Sequence, residues 1–302
     1  MKRCKSLRAS IFPAALLLLV PASAWALRLV SLAPSVTETL FALGAGGELV
    51  GVSTYCDYPP EAKRIDRVGT FVQPSFELIL GKKPDLVLAV PSPGNRATVR
   101  KLEELGLRVV VVDPHSVEGV LESILHIGRA VGRTTEAEGL VAQLRRRIDS
   151  VERRLRGVRP RKVLVVVGRS PLVAVGGGVV QDELLRRAGG INLGAKAGEG
   201  WPRLSLEWVL AEGPEVILDA SMGSESGALG NPWARFRELP AVREGRVHRY
   251  RDDAFLRPGP RIAEALERLA ALLHPERMGE ADGALSRAGW VEACSEASEC
   301  VP

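Results

Sequence analysis

Thr134–Arg156, TTEAEGLVAQLRRRIDSVERRLR, contains no proline and a single glycine, Gly139. Its apolar residues Leu140, Leu144, Ile148, Val151 and Leu155 recur at spacings of four, four, three and four, the period of an amphipathic helix with one buried stripe. Thr134 or Thr135 is placed to cap its start, Glu136 and Glu138 suit the positive end of the dipole, and Gly157 and Pro160 mark its stop. At 1.5 Å per residue such a helix runs about 34 Å, the width of a small domain. Its arginines, Arg145 to Arg147 and Arg153, Arg154 and Arg156, read as a solvated face rather than a phosphate-binding patch.

On either side of this helix, short β-branched runs alternate with helical patterns, the rhythm of βαβ units and largely parallel sheets. Before it, strands are expected at 28–32, 49–52, 85–90 and 108–112, and helices at 35–43, 75–80, 96–105 and 117–131. After it, strands are expected at 161–167, 216–219 and 247–250, and helices at 180–188, 205–211 and 261–273. The expected fold is therefore α/β: two Rossmann-like lobes joined by one long α-helix, with a ligand cleft between the lobes. The corresponding division is 1–26, a signal; 27–132, the first lobe; 133–158, the linking helix; 159–275, the second lobe; and 276–302, an Ala-, Gly-, Ser- and Glu-rich tail.

The lobes share an ungapped repeat. Ser75-Phe76-Glu77-Leu78-Ile79-Leu80 followed by Pro84-Asp85-Leu86-Val87-Leu88 aligns, 130 residues on, with Ser205-Leu206-Glu207-Trp208-Val209-Leu210 and Pro214-Glu215-Val216-Ile217-Leu218. In each copy a serine can cap a short helix that leads into a buried strand. Glu77 and Glu207 thus hold equivalent places, either as supports of a cap and dipole or as binding groups.

Of 302 residues, 46% are hydrophobic and 25% charged, which excludes a disordered or fibrous chain and allows one large domain or two ordinary ones. The basic run 1–8, the apolar stretch 11–20 and Ala24-Trp25-Ala26 form the three parts of a secretory signal. Cleavage is expected after Ala26, which places the mature chain in the periplasm. Removing the four basic residues of that signal from the 41 leaves 37 against 36 acidic, a net of +1, so no nucleic acid or other polyanion is implied. Cys294 and Cys300 are spaced to close a small loop in an oxidising compartment, and Cys56 is then odd and reads as a small buried hydrophobe.

Catalytic signatures fail in turn: the chain has no HExxH, P-loop or GxSxG, and Gly176-Gly177-Gly178 reads as a turn. His115, His126, His248 and His274 lack ligand spacing. What remains are loop aromatics and charges: Tyr55 in 53–60, Phe71 and Trp201 each four residues before a repeat copy, and the run Asp252-Asp253-Ala254-Phe255-Leu256-Arg257. Loops beyond the carboxyl ends of strands line the crevice of open α/β sheets. Flat aromatic faces with a few charged groups there suit a large, partly apolar organic ligand.

The chain resembles the periplasmic substrate-binding proteins of ABC importers whose lobes are joined by a single long helix, the group serving cobalamin, haem and iron siderophores. The run Val30 to Glu38, the segment Val52 to Pro60 with its Asp57-Tyr58-Pro59-Pro60 ending, and Lys83-Pro84-Asp85-Leu86-Val87 look most like the cobalamin-binding branch. The resemblance implies a corrinoid carried between the lobes as transported ligand, with no cofactor, no metal site of the protein's own, no catalysis and a monomeric chain. It implies corrin contacts from Tyr55, Phe71, Trp201, Asp253 and Arg257, and docking of Glu77 and Glu207 on arginines of a permease dimer.

Three departures bear on the ligand. Pro91 stands where that branch has an aromatic, Phe71 where tryptophan is common, and 168–175 carries no aromatic. A haem or ferric-siderophore carrier is the same-class alternative, with Tyr55 then placed as an iron ligand. An exported enzyme using Cys56 and a remote histidine is the alternative from another class. Because the linking helix restricts a hinge, lobe motion on binding is expected to be small.

Overall fold

A computed structural model describes residues 27–221, 232–250 and 252–279. The first sheet holds β1 (Leu29–Ser31), β2 (Leu49–Val52), β3 (Leu86–Ala89) and β4 (Val109–Val111), all parallel in the order β2-β1-β3-β4. Helices α1 (Pro34–Ala42), α2 (Phe76–Gly81), α3 (Arg96–Glu104) and α4 (Val117–Ala130) alternate with these strands. Helix α5 (Thr134–Arg154) then leads to the second sheet.

That sheet is built on the long strand β5 (Arg161–Arg169). One edge pairs in parallel with β8 (Val216–Asp219), which pairs on to β9 (Val247–Arg249). The other edge is shared by β7 (Gly190–Asn192), parallel at its start, and β6 (Leu172–Ala174), antiparallel at its end. Around it lie α6 (Val180–Arg187), α7 (Gly194–Ala197), α8 (Leu206–Glu212), α9 (Pro240–Arg243), α10 (Asp253–Leu256), α11 (Ile262–Leu273) and α12 (Pro275–Met278). The sequence pattern missed β6 and β7, which lack a run of buried β-branched residues: β6 is half-buried at two of its three positions, and β7 is Gly-Ile-Asn with its isoleucine exposed.

The repeat is a structural one. β3 and β8 are offset by the same 130 residues, and every residue of both strands is buried, as expected of parallel strands covered on both faces. Ser75 and Ser205 each cap their helix, accepting hydrogen bonds from Leu78 N and Trp208 N at 3.3 and 3.2 Å.

Alternate residues of the strands face different cores. Leu29, Leu86 and Leu88 of the first sheet and Val163, Val216 and Leu218 of the second contribute to one continuous apolar cluster, which also holds the stripe of α5. The opposite faces build separate cores around Val30 and Val87 in one lobe and Ile217 and Val209 in the other. The α5 stripe is Ala137, Val141, Leu144, Ile148 and Val151, and burying a leucine or isoleucine there contributes about 2 kcal/mol. Leu140 lies half-buried at the flank of this stripe instead of in it.

Neither Thr134 nor Thr135 caps α5. Arg133 holds the N-cap position without a side-chain bond; its amide bonds Gly128 O at 2.7 Å and its carbonyl accepts from Ala137 N, so backbone in the tight α4–α5 corner replaces a hydroxyl cap. The helix also stops two residues short of Arg156. Its arginines are not simply a solvated face: Arg147 forms a double hydrogen bond to Glu267 of α11 at 2.9 and 2.6 Å, and Arg145 pairs with Glu118 of α4. The linking helix is thereby tied to both lobes. Among the described residues no helix is long and apolar enough to cross a membrane. The expected signal, and residues 280–302 with Cys294 and Cys300, lie outside the described residues.

Candidate functional site

A cavity of about 590 Å³ lies between the lobes, at the carboxyl ends of the strands. Ala33 and Pro34 after β1, Tyr55 after β2 and Val90 after β3 line one side; Val167 near the end of β5, Ala220 after β8 and α10 after β9 line the other. All five residues singled out from the sequence, Tyr55, Phe71, Trp201, Asp253 and Arg257, line this one space. Tyr55 is 59% and Trp201 49% exposed, so both present broad aromatic surface to this space.

Each aromatic is held by its backbone. For Tyr55 the anchor is its neighbour: Cys56 is 1% exposed, its sulfur meets Ser53 Oγ at 3.0 Å and accepts from Thr37 Oγ1 at 3.1 Å, and its carbonyl accepts from Arg67 Nη1 at 2.8 Å. For Phe71 the anchor is the buried Asn95, whose amide donates to Phe71 O at 3.3 Å and Val90 O at 2.8 Å. The loop enters through Gly69 at φ +102°, where a Cβ would meet Ser75 N at 2.6 Å. Trp201 rides on the glycine triplet: Gly176 N and Gly177 N bond the carbonyls of Gly200 and Gly198 at 2.8 and 2.9 Å. A side chain on Gly176 would meet Gly198 O at 2.5 Å, so this turn is glycine because two backbones touch there.

The charged run after β9 divides its labour. Asp252 is buried and caps α10, accepting from Ala254 N at 2.9 Å and from Arg268 Nη1 at 3.2 Å. Phe255 is wholly buried in the core. Asp253 and Arg257 remain for the cavity, and they are the only charged groups among the described residues lining it. Arg257 Nη1 donates to Asp57 Oδ1 at 2.5 Å across the lobes, while its Nη2 lies 3.7 Å from Asp253 Oδ1. Beside this trio, Arg261 grips Glu38 with two bonds of 2.7 Å and lies 4.0 Å from the Tyr58 ring centroid. Burial pushes the Glu38 carboxyl above its ordinary value against the pull of Arg261.

Sequence reasoning missed Asp57, whose partner Arg257 lies 200 residues on, and Arg67 and Asn95, which act by bonding backbone carbonyls of neighbouring loops. Pro91 does not line the cavity; Val90 does, and Pro91 faces a neighbouring groove with Asn95 and Val99. Asp219, at the end of β8, is held by Arg169 Nε at 2.9 Å and Ser221 Oγ at 2.6 Å, fixing the backbone beside Ala220.

Glu77 and Glu207 lie outside the cavity, exposed in the first turns of α2 and α8. Hydrogen bonds from its own amide and from Ser205 hold the Glu207 carboxyl below the usual range, so it is ionised at neutral pH. The Ser75 hydroxyl likewise lies 3.3 Å from Glu77 Oε2. Among the described residues, no group of three or more His, Cys, Asp or Glu side chains is arranged to hold a metal ion.

Residues 29–254 match the periplasmic binding protein family. The vitamin B12-binding protein of Salmonella choleraesuis (strain SC-B67) is 32% identical over 260 residues, covering 86% of this chain and 95% of that protein. The periplasmic vitamin B12 binding protein BtuF of Vibrio cholerae superposes with a TM-score of 0.74 at 27% identity, covering 83% of this chain and 98% of that one. The apo periplasmic heme-binding protein RhuT from Roseiflexus sp. RS-1 superposes equally well, with a TM-score of 0.75 at 30% identity over 83% and 98%.

Proposed function

The chain belongs to the periplasmic binding protein family, and from that premise we propose that it captures a corrinoid of the vitamin B12 type between its lobes and delivers it to an ABC importer. The relative at 32% identity bears a vitamin B12-binding name, but the fold is shared equally with a heme-binding protein, so the ligand has to be argued from the cleft.

The observation that carries the choice is charge. Arg257 is already flanked by Asp57 and Asp253, and the adjoining Arg261 is matched by Glu38, so these five groups sum to −1. Haem presents two carboxylates, which need cations. A vitamin B12-type corrinoid is a flat, partly apolar macrocycle with neutral amides at its periphery, and the one negative charge of its nucleotide phosphate is offset by the cobalt centre, so it carries no carboxylate and no net anionic charge. Tyr55, Phe71 and Trp201 offer aromatic faces to such a ring, and Asp253 with Arg257 offers an acceptor and a donor to its amides. Catalysis is no part of this reading: Cys56, the candidate nucleophile, is buried between Ser53 and Thr37 with its thiol pushed up by burial.

Glu77 and Glu207 are proposed as the docking groups, one per lobe, for cationic sites on a two-subunit permease. Charge pairs of this kind orient encounter more than they add affinity. The proposed compartment is the periplasm, reached by cleavage after Ala26. Removing the aromatic walls tests the ligand site: Tyr55→Ala with Trp201→Ala is expected to weaken cyanocobalamin binding at least about 100-fold, given about 1.4 kcal/mol per decade and the removal of two large aromatic faces from the ring's seat. Unchanged affinity in that double variant would place the ligand elsewhere.

A further inference from the structure

We propose that Asp57 is a specificity residue: by holding Arg257 it turns away ligands that carry carboxylates. The inference rests on the corrinoid reading for its context, and on the Asp57–Arg257 geometry for its substance.

Arg257 is the one cation among the described residues that line the cavity. Its guanidinium has a side-chain exposure of 21%, and Asp57, which does not line the cavity, takes its Nη1 at 2.5 Å from the opposite lobe. Asp253 stands 3.7 Å from Nη2. Of the neighbouring described cations, Arg261 is committed to Glu38 by two bonds and covered by the Tyr58 ring, and Arg67 donates to the carbonyls of Ser53 and Cys56. Among the described residues lining the cavity, an entering carboxylate therefore meets no guanidinium whose charge is uncompensated. It can reach the remaining N–H groups of Arg257 only by standing beside the negative charges of Asp57 and Asp253. A neutral amide meets no such repulsion, since it can donate to Asp253 and accept from an Arg257 that stays paired. Rejection by a fixed like charge is how a site discriminates between ligands of similar shape. With Asp57 neutralised, Arg257 gains a free valence and the five-group cluster moves from −1 to zero.

The test titrates the wild type and Asp57→Asn with haemin, with its dimethyl ester in the same solvent, and with cyanocobalamin. The diacid and diester share ring and iron and differ only in the two carboxylates. In Asp57→Asn, binding of the diacid relative to the diester is expected to strengthen at least about tenfold, and Asp57→Asn with Arg257→Gln is expected to abolish that gain. Asp57→Ser serves as a second variant, and thermal melting reports that each is folded. A diacid-to-diester ratio that is the same in wild type and both Asp57 variants overturns the inference. The cyanocobalamin arm reads the other question: a wild type that does not bind it contradicts the corrinoid assignment, while the diacid-to-diester comparison still decides the role of Asp57.

Discussion

Glu38 and Arg261 stand 223 residues apart in the chain and meet through two hydrogen bonds of 2.7 Å, from Nε to Oε2 and from Nη2 to Oε1. Glu38 is on α1 and its side chain is 2% exposed; Arg261 precedes α11. The pair fastens one lobe to the other beside the cleft. Arg261→Ala leaves a buried carboxylate without its partner, which costs about 3–5 kcal/mol. Calorimetry is expected to show a melting temperature lower by roughly 10 °C. Burial already raises the Glu38 carboxyl above its ordinary value. Stability linked to its protonated form is full below the unfolded value and lost as pH rises through the folded value. The deficit of Arg261→Ala is therefore expected to be larger at pH 7 than at pH 5. A deficit that grows on acidification would show that Glu38 is not the group at fault.

The α5 stripe sits in an apolar cluster shared by both sheets, and Arg147 ties the same helix to Glu267. Opening a hinge would expose that cluster. X-ray scattering of the protein with and without ligand is expected to give radii of gyration within about 1 Å of each other. A large compaction on binding would contradict a shared core.

Glu77→Ala with Glu207→Ala removes two exposed carboxylates outside the cavity. Ligand affinity is expected to stay within about threefold, while uptake through the reconstituted permease slows and becomes less sensitive to salt. Equal uptake by the double variant removes the docking assignment and leaves both residues as supports of their helix caps.

Cys56 is buried, bonded by Ser53 and Thr37, and burial pushes its thiol up. Iodoacetamide reacts with thiolates, so Cys56 is expected to stay unlabelled in the native protein and to react once it is unfolded, as read by peptide mass mapping. Rapid native labelling would reopen a nucleophilic role.

The linking helix and the repeat were legible because each is periodic over many residues: the α5 stripe shows in the spacing of Leu144, Ile148 and Val151, and Ser75 and Ser205 announce the same helix twice. The lining of the cavity was legible through Tyr55, Phe71 and Trp201, large aromatics in loops that follow strands or precede a repeat copy. The pairing of Asp57 with Arg257, two hundred residues away, carries no local signal, since nothing in Asp57-Tyr58-Pro59 says which lobe its carboxylate faces. β6 was invisible for a related reason: it exists because β5 overruns β7 and leaves a free edge for the chain to turn back upon. The α5 cap was misread because a tight corner satisfied with backbone what a threonine hydroxyl ordinarily would.

The most direct test of a corrinoid-binding cleft is titration calorimetry of residues 27–302 with cyanocobalamin, run beside haemin and a ferric siderophore. One-to-one binding of cyanocobalamin, with little or no heat from the two controls, is the predicted result. Silence toward cyanocobalamin together with saturable binding of haemin or the siderophore would contradict the account, leaving the fold and the carrier role but assigning the cleft between Tyr55 and Trp201 to a different ligand.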